Sequence, residues 1–295
     1  MKANKYVWMG MAALFLTACG NEDEQINDAP VAVKVSADIE ETQARASETT
    51  WDPNDEIGIS CTGDKTHYTN VRYYLNGSNI FSSDNSICFQ DPTTTATFSA
   101  YYPYEENEGT ITKTIKDDTP LKDIDFLYAT GPTASKSSPE VNFIRVDDTK
   151  DYRFKHCMSR LSFEFIAGTG ITDLQGLTSF TISGLKMEGT FDTTTGTATV
   201  TATAATDLTV DVSGSTAKES SSVIVFPQNV ASFELSLVLG GITYSASLTV
   251  LDGELSAGKN YNYTVTISKT EIIVDEPMID GWKTVDADSG TAEMD

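Results

Sequence analysis

Basic residues are scarce in this chain: 20 Lys and Arg stand against 43 Asp and Glu, a formal net charge of −23 over 295 residues. Phosphate backbones are held by clustered Lys and Arg, so this balance argues against nucleic acid as a partner. It favours a soluble, mutually repelling, surface-exposed protein. Histidine is rarer still. His67 and His156 are too few and too far apart for a zinc enzyme of the HExxH type. His156 and Cys157 are neighbours, and on a strand neighbours point to opposite faces, which argues against a catalytic pair. No Cys-x-x-Cys pair exists, so zinc is not suggested. Gly58-Ile59-Ser60-Cys61-Thr62 lacks the second glycine of a nucleophile elbow. With 43 carboxylates, a pair at glycosidase spacing arises by chance and carries no information. The reading is no enzyme and no cofactor.

Two partial motifs also reduce to local structure. Gly253 to Lys259 fits the first seven positions of a phosphate-binding loop, but Asn260 stands where Ser or Thr is needed. A strand pattern follows in place of a helix, so a turn between strands is expected. Asp52, Asn54 and Glu56 alternate like calcium ligands, as do Asp286 and Asp288 before Gly290. Neither set carries a bidentate Glu at the required position, leaving a turn and a solvated tail. A helical period never persists beyond two turns.

The chain opens with Lys2, Lys5 and the apolar run Tyr6 to Phe15. That run is too short to span a bilayer and reads as a signal peptide core. Leu16-Thr17-Ala18-Cys19 follows as a lipobox, making 1–18 a lipoprotein signal peptide and the Cys19 sulfur the lipid acceptor. Ordinary secretory cleavage near Ala18 is the alternative. Three cysteines then remain: Cys61, Cys88 and Cys157. An odd number leaves at least one free thiol or an intermolecular bond. A Cys61–Cys88 disulfide is open, and small buried hydrophobes are the simpler reading.

Beyond the acidic leash at 20–30, the pattern is short strands between turn clusters. Val31, Val33 and Val35 share one face of a half-buried strand. Arg45 follows in a polar segment, where an exposed basic residue would admit an Arg-specific protease. Trp51, the turn Asp52-Pro53-Asn54-Asp55 and Ile57-Gly58-Ile59 come next. Further strands are expected at 70–75, 80–81, 87–90, 96–104, 109–115, 126–130 and 141–146. A composition change near Tyr152 marks a second domain, with strands from Leu161, at 208–212, at 223–226 and at 261–267. The clearest hairpin joins Phe233–Leu239 to Tyr244–Val250 through Gly240-Gly241. Length and pattern thus predict an all-β chain of two antiparallel β-sandwich domains, 46–151 and 152–295.

Several blocks carry a resemblance. T-Q-A-R-A followed by W-D-P-N-D-E-I-G-I spans Arg45 and Trp51 to Ile59. An aromatic-Tyr-Pro-Tyr segment lies at Tyr101 to Tyr104, and F-x-H-x-x-S-R-L at Phe154 to Leu161. Phe226-Pro227-Gln228, Gly258 to Tyr263, and Ile279 to Trp282 complete the order. In this order they resemble the Bacteroides-type fimbrillin family, the type V pilins and their Mfa-like and FimA-like relatives. The resemblance implies tandem transthyretin-like sandwiches in a structural pilus subunit serving adhesion. It also implies that Cys19-Gly20-Asn21-Glu22-Asp23-Glu24 sends the lipoprotein to the outer face of the outer membrane.

The same resemblance implies cleavage between Arg45 and Ala46 by a secreted Arg-specific protease, so that 19–45 is a tether and removable first strand. Losing that strand would leave unpaired backbone and an open apolar groove, which a partner strand refills. The donor would be the C-terminal segment of a neighbouring pilin, with Ile272, Val274, Ile279 and Trp282 as its apolar residues. An intramolecular edge strand is the competing reading of that segment. At the level of function the competitors are a pilus anchor, a tip subunit, and a non-polymerising surface lipoprotein that binds host protein or glycan. In the last case Tyr101, Tyr102 and Tyr104 would be a stacking platform for sugar, if they are not core.

Overall fold

The computed structural model describes residues 29–40, 50–77, 79–107, 109–212 and 218–282. Among the described residues the regular structure is strand, apart from single 3₁₀ turns at Leu121–Asp123 and Leu251–Gly253. The chain is all-β, as its period-two alternation requires. Ser159–Ala167 is typical: Leu161, Phe163 and Phe165 are fully buried, and the side chains between them reach the outer face.

One sheet of eight strands organises the first half. Its order is Glu140–Phe143, Lys34–Ala37, Ile80–Ser82, His67–Leu75, Glu56–Thr62, Thr95–Tyr102, Leu127–Ser135 and Lys155–His156. In the second half, Lys218–Val225, Ser159–Ala167 and Lys259–Ile267 form one sheet, edged by Ile272–Val274 and Met278–Gly281. A four-stranded sheet of Leu208–Asp211, Ser179–Ser183, Ser232–Leu239 and Ile242–Thr249 packs on it. The contact between these two sheets is aromatic: Phe180 lies 5.1 Å from both Phe163 and Phe165, and Phe233 lies 5.5 Å from Tyr263. The expected Gly-Gly hairpin is present, with Leu239 opposite Ile242. Gly240 and Gly241 sit at φ +61° and +79°, the left-handed pair that a two-residue turn demands.

Buried hydrophobic side chains gather in two cores. One runs from Val33 to Phe154 and the other from Tyr101 to Trp282, so their memberships interleave along the chain. Thr110–Thr114 crosses over to pair with Glu188–Asp192 and delivers Ile111 to the second core. Phe126 follows it and stacks on Phe191 at 4.5 Å. Among the described residues two strand pairings run parallel: Lys34–Ala37 with Glu140–Phe143, and Ser159–Ala167 with Lys259–Ile267. Alternation does not reveal strand direction, so neither was legible beforehand.

Cys61, Cys88 and Cys157 are free thiols, with no Cys61–Cys88 bond. Burial pushes the Cys61 thiol up to about 11 and the Cys157 thiol up to about 12. Because the thiolate is the reactive form, iodoacetamide at pH 8 should label Cys88 in the native chain and spare the other two until denaturant is added. Peptide mass spectrometry checks this order. Gly58 offers a test of packing. A Cβ there would overlap the Tyr101 ring and lie 2.6 Å from Asn70 Oδ1. Gly58→Ala should therefore cost about 1–3 kcal/mol in denaturant unfolding.

Candidate functional site: the seat of the first strand

The first strand lies inside the large sheet. Lys34–Ala37 runs parallel to Glu140–Phe143 on one side and antiparallel to Ile80–Ser82 on the other. Val35 is thereby flanked by Val141 and Phe81. Just before it, Val31 and Ala32 pair with Phe89 and Cys88. The buried face comprises Val33, Val35, Ala37 and Ile39, at 6%, 2%, 0% and 6% exposure. Val31 is half-buried, so the buried face begins two residues later, at Val33, and runs on to Ile39, further than the three valines indicated.

Backbone hydrogen bonds continue past the named strand at both ends. Val33 N–H donates to Ile87 O (2.9 Å), Lys34 N–H to Pro139 O (2.8 Å) and Ala37 N–H to Asn79 O (3.1 Å). Asp38 N–H donates to Phe143 O (3.0 Å), and Phe154 N–H returns a bond to Asp38 O (3.0 Å). Side chains fix the register as well: Ser36 Oγ donates to Asn142 Oδ1, and Asn79 Nδ2 to Asp38 Oδ1, each at 2.7 Å. Burying a Val or Ile side chain contributes about 1.5–3 kcal/mol. Three of them in this strand are comparable with the whole stability of an ordinary domain, about 5–15 kcal/mol.

Trp51 closes the seat from below. Its ring meets Phe81, Tyr102 and Phe154 edge-on at 5.2, 5.6 and 5.1 Å. Its buried Nε1–H donates to Ala37 O at 2.7 Å. A buried indole N–H needs an acceptor, and here the acceptor belongs to the first strand. The following turn is closed by Asp52 N–H to Asp55 Oδ2 (2.7 Å) and Asp55 N–H to Asp52 O (3.0 Å). Tyr102 donates to the other Asp55 oxygen at 3.1 Å, while burial raises the Asp55 carboxyl above its ordinary range. This is turn chemistry. Among the described residues no cluster of three His, Cys, Asp or Glu is placed to hold a metal.

The other residues singled out by sequence fall in different places. Cys19, Arg45 and Ala46 lie outside the described residues, the last two between Glu40 and Thr50. Ile272–Val274 pairs antiparallel with Val265–Ile267, and Met278–Gly281 with Lys259–Asn262. The segment is therefore an edge strand of its own chain, broken at Asp275-Glu276-Pro277. Ile272, Val274 and Ile279 are half-buried, whereas Trp282 is 4% exposed and stacks on His156 at 4.3 Å. His156 Nδ1 in turn lies 2.8 Å from Asp125 Oδ1. Tyr101 and Tyr102 are core residues and form no surface platform; Tyr104 is half-buried beside Arg72. In the phosphate-loop-like stretch, Glu254–Leu255 pairs with Gln228–Asn229 and Lys259 opens a strand.

Sequence reasoning missed Glu140–Phe143 as the parallel neighbour, and the roles of Trp51, Phe154 and Asn79. The available signal was Trp51 itself, whose N–H must find a partner when buried. The family model described as fimbrillin-like matches residues 44–282. A candidate fimbrium subunit of Bacteroides uniformis, Fim1C, is 28% identical over 303 residues that cover 95% of each protein. Among solved structures, a candidate cell adhesion protein of Bacteroides ovatus superposes with a TM-score of 0.74 at 25% identity, covering 88% of this chain and 100% of that one. One from Bacteroides uniformis gives 0.69 at 25% identity, over 86% and 99%. The chain belongs to the fimbrillin-like family.

Proposed function

We propose that this protein is a fimbrial subunit of the cell surface, made as a lipoprotein and matured by removal of its first strand. Cys19 carries the lipid that holds it at the outer membrane. An Arg-specific protease cuts between Arg45 and Ala46, and a strand from another pilin subunit takes the vacated place. The observation that carries this reading is the position of Lys34–Ala37 inside the sheet, with Arg45 just beyond its end. Departure of that strand strands backbone groups on Glu140–Phe143 and near Ile80, and uncovers Tyr73, Phe81 and Phe143. Exposed edges and apolar pockets of this kind are what an added strand satisfies.

A refilling strand must meet three conditions. It must run in the direction of Lys34–Ala37, carry apolar side chains at alternate positions, and present a carbonyl to Trp51 Nε1. Ile272 and Val274 of a neighbour meet the alternation over a short span, with Ile279 and Trp282 beyond the break at Pro277. To donate, this segment must first leave its own edge and unstack Trp282 from His156. That intramolecular packing favours a second reading, a tip subunit that accepts a strand and donates none.

The test is the N-terminus and intact mass of the protein on its native cells. Wild type should start at Ala46, and Arg45→Ala should keep the lipidated start at Cys19 and lose denaturant-resistant multimers. Cleavage without multimers supports the tip reading. A lipidated Cys19 start on mature wild-type surface protein would contradict processing and leave an anchor subunit or a lipoprotein receptor.

A further inference from the structure

The large sheet has a second feature, on the face away from the first core. A β-bulge places Thr69 and Asn70 opposite Ser60, because Val71 pairs with Ile59 and Tyr68 with Cys61. Asn70 takes φ +50°, and its N–H donates to Ser60 Oγ at 3.0 Å. Its side chain then acts as a clamp. Nδ2 donates to the carbonyls of Glu105 (3.0 Å) and Glu106 (3.2 Å), and Oδ1 lies 2.8 Å from the Tyr101 hydroxyl. Tyr101 is itself fixed in the second core. The segment after Pro103 is thereby held over the sheet, and Tyr104 is presented at a set height.

Beneath it lies a cleft of about 680 Å³, within the range of about 300–1,000 Å³ usual for ligand sites. Three half-buried tyrosines line it, Tyr68, Tyr74 and Tyr104, with the Arg72 guanidinium 5.9 Å from the Tyr104 ring centre. Arg72 is ion-paired to Glu56, and Asp84 lies 3.4 Å from the Tyr74 hydroxyl. Aromatic rings accept the C–H face of a pyranose, while carboxylate, amide and guanidinium groups at the rim match its hydroxyls. With Arg72 neutralised by Glu56, Asp84 leaves the cleft with a negative balance on a strongly acidic protein. Anionic ligands are repelled there.

We propose that this cleft binds a neutral oligosaccharide, stacked on Tyr74 and Tyr104 and hydrogen-bonded by Glu56, Arg72 and Asp84. No residue of the first strand lines it. The site thus exists before any cleavage, and its success or failure is independent of the assembly reading. For a subunit displayed at the surface, such a site would supply direct attachment to glycan.

The test uses the full uncut chain, its N-terminus verified by mass, in saturation-transfer NMR and calorimetry. The probes are neutral gluco-, galacto-, manno- and N-acetylglucosaminyl trisaccharides, with sialyllactose as the anionic comparison. At least one neutral probe should bind and show saturation from tyrosine protons. Tyr74→Ala, Tyr104→Ala and Asp84→Ala should each weaken it about tenfold, a change of about 1.4 kcal/mol. Tyr104→Phe should restore affinity, and Tyr152→Ala, at a residue that does not line the cleft, should leave it within twofold. Thermal unfolding verifies that each variant is folded, and the three positions lie on separate segments, so loss of one variant leaves the others decisive. Absence of binding by every neutral probe would overturn the proposal, as would preference for sialyllactose or indifference to the three substitutions.

Discussion

A strand inside a sheet is bonded on both sides, and this constraint governs the molecule. Lys34–Ala37 supplies the ladder for Glu140–Phe143 and for Ile80–Ser82 at once. It also places Val35 and Ala37 in the first core and gives Trp51 its acceptor. Peripheral strands can be trimmed with modest consequence. This one cannot, because buried backbone groups without partners cost several kcal/mol and the apolar loss adds to it. Under the proposed processing at Arg45, the folded state would depend on what replaces this strand.

The remainder of the fold gives the seat its rigidity. Trp51, Tyr102 and Phe154 brace it from one side through edge-on ring contacts. Within the same sheet, strand Thr95–Tyr102 reaches both cores, with Tyr102 in the first and Tyr101 in the second. Thr110–Thr114 adds a further tie by pairing across to Glu188–Asp192. These connections join the sheet that seats the first strand to the second core. The net charge of −23 makes separate molecules repel one another.

Sequence alone exposed most of the strands, because alternation and turn residues are local signals. The Gly240-Gly241 hairpin and the buried face of Val33 and Val35 are instances. Direction and neighbours were hidden, since period two is the same for parallel and antiparallel pairing. Nothing local in Glu140–Phe143 marks it as the companion of a strand about a hundred residues earlier. Tyr101 and Tyr102 illustrate the same limit: alternation puts them on opposite faces, and only the second core explains why both are buried. The bulge at Asn70, which shapes the sugar-sized cleft, required a positive φ that a lone Asn permits but does not announce. The C-terminal segment was legible as apolar, but its seat on the Lys259–Ile267 edge and the Trp282–His156 stack are tertiary facts.

The central claim is that the place of the first strand is vacated and then refilled. Hydrogen–deuterium exchange of the amides in Glu140–Phe143 and Ile80–Ser82 reads it directly, in the uncut chain, the cut monomer and the assembled multimer. The account predicts protection, then loss of protection, then its return on assembly. Protection that survives loss of residues 31–39 in the monomer, or stays absent in multimers, would contradict it.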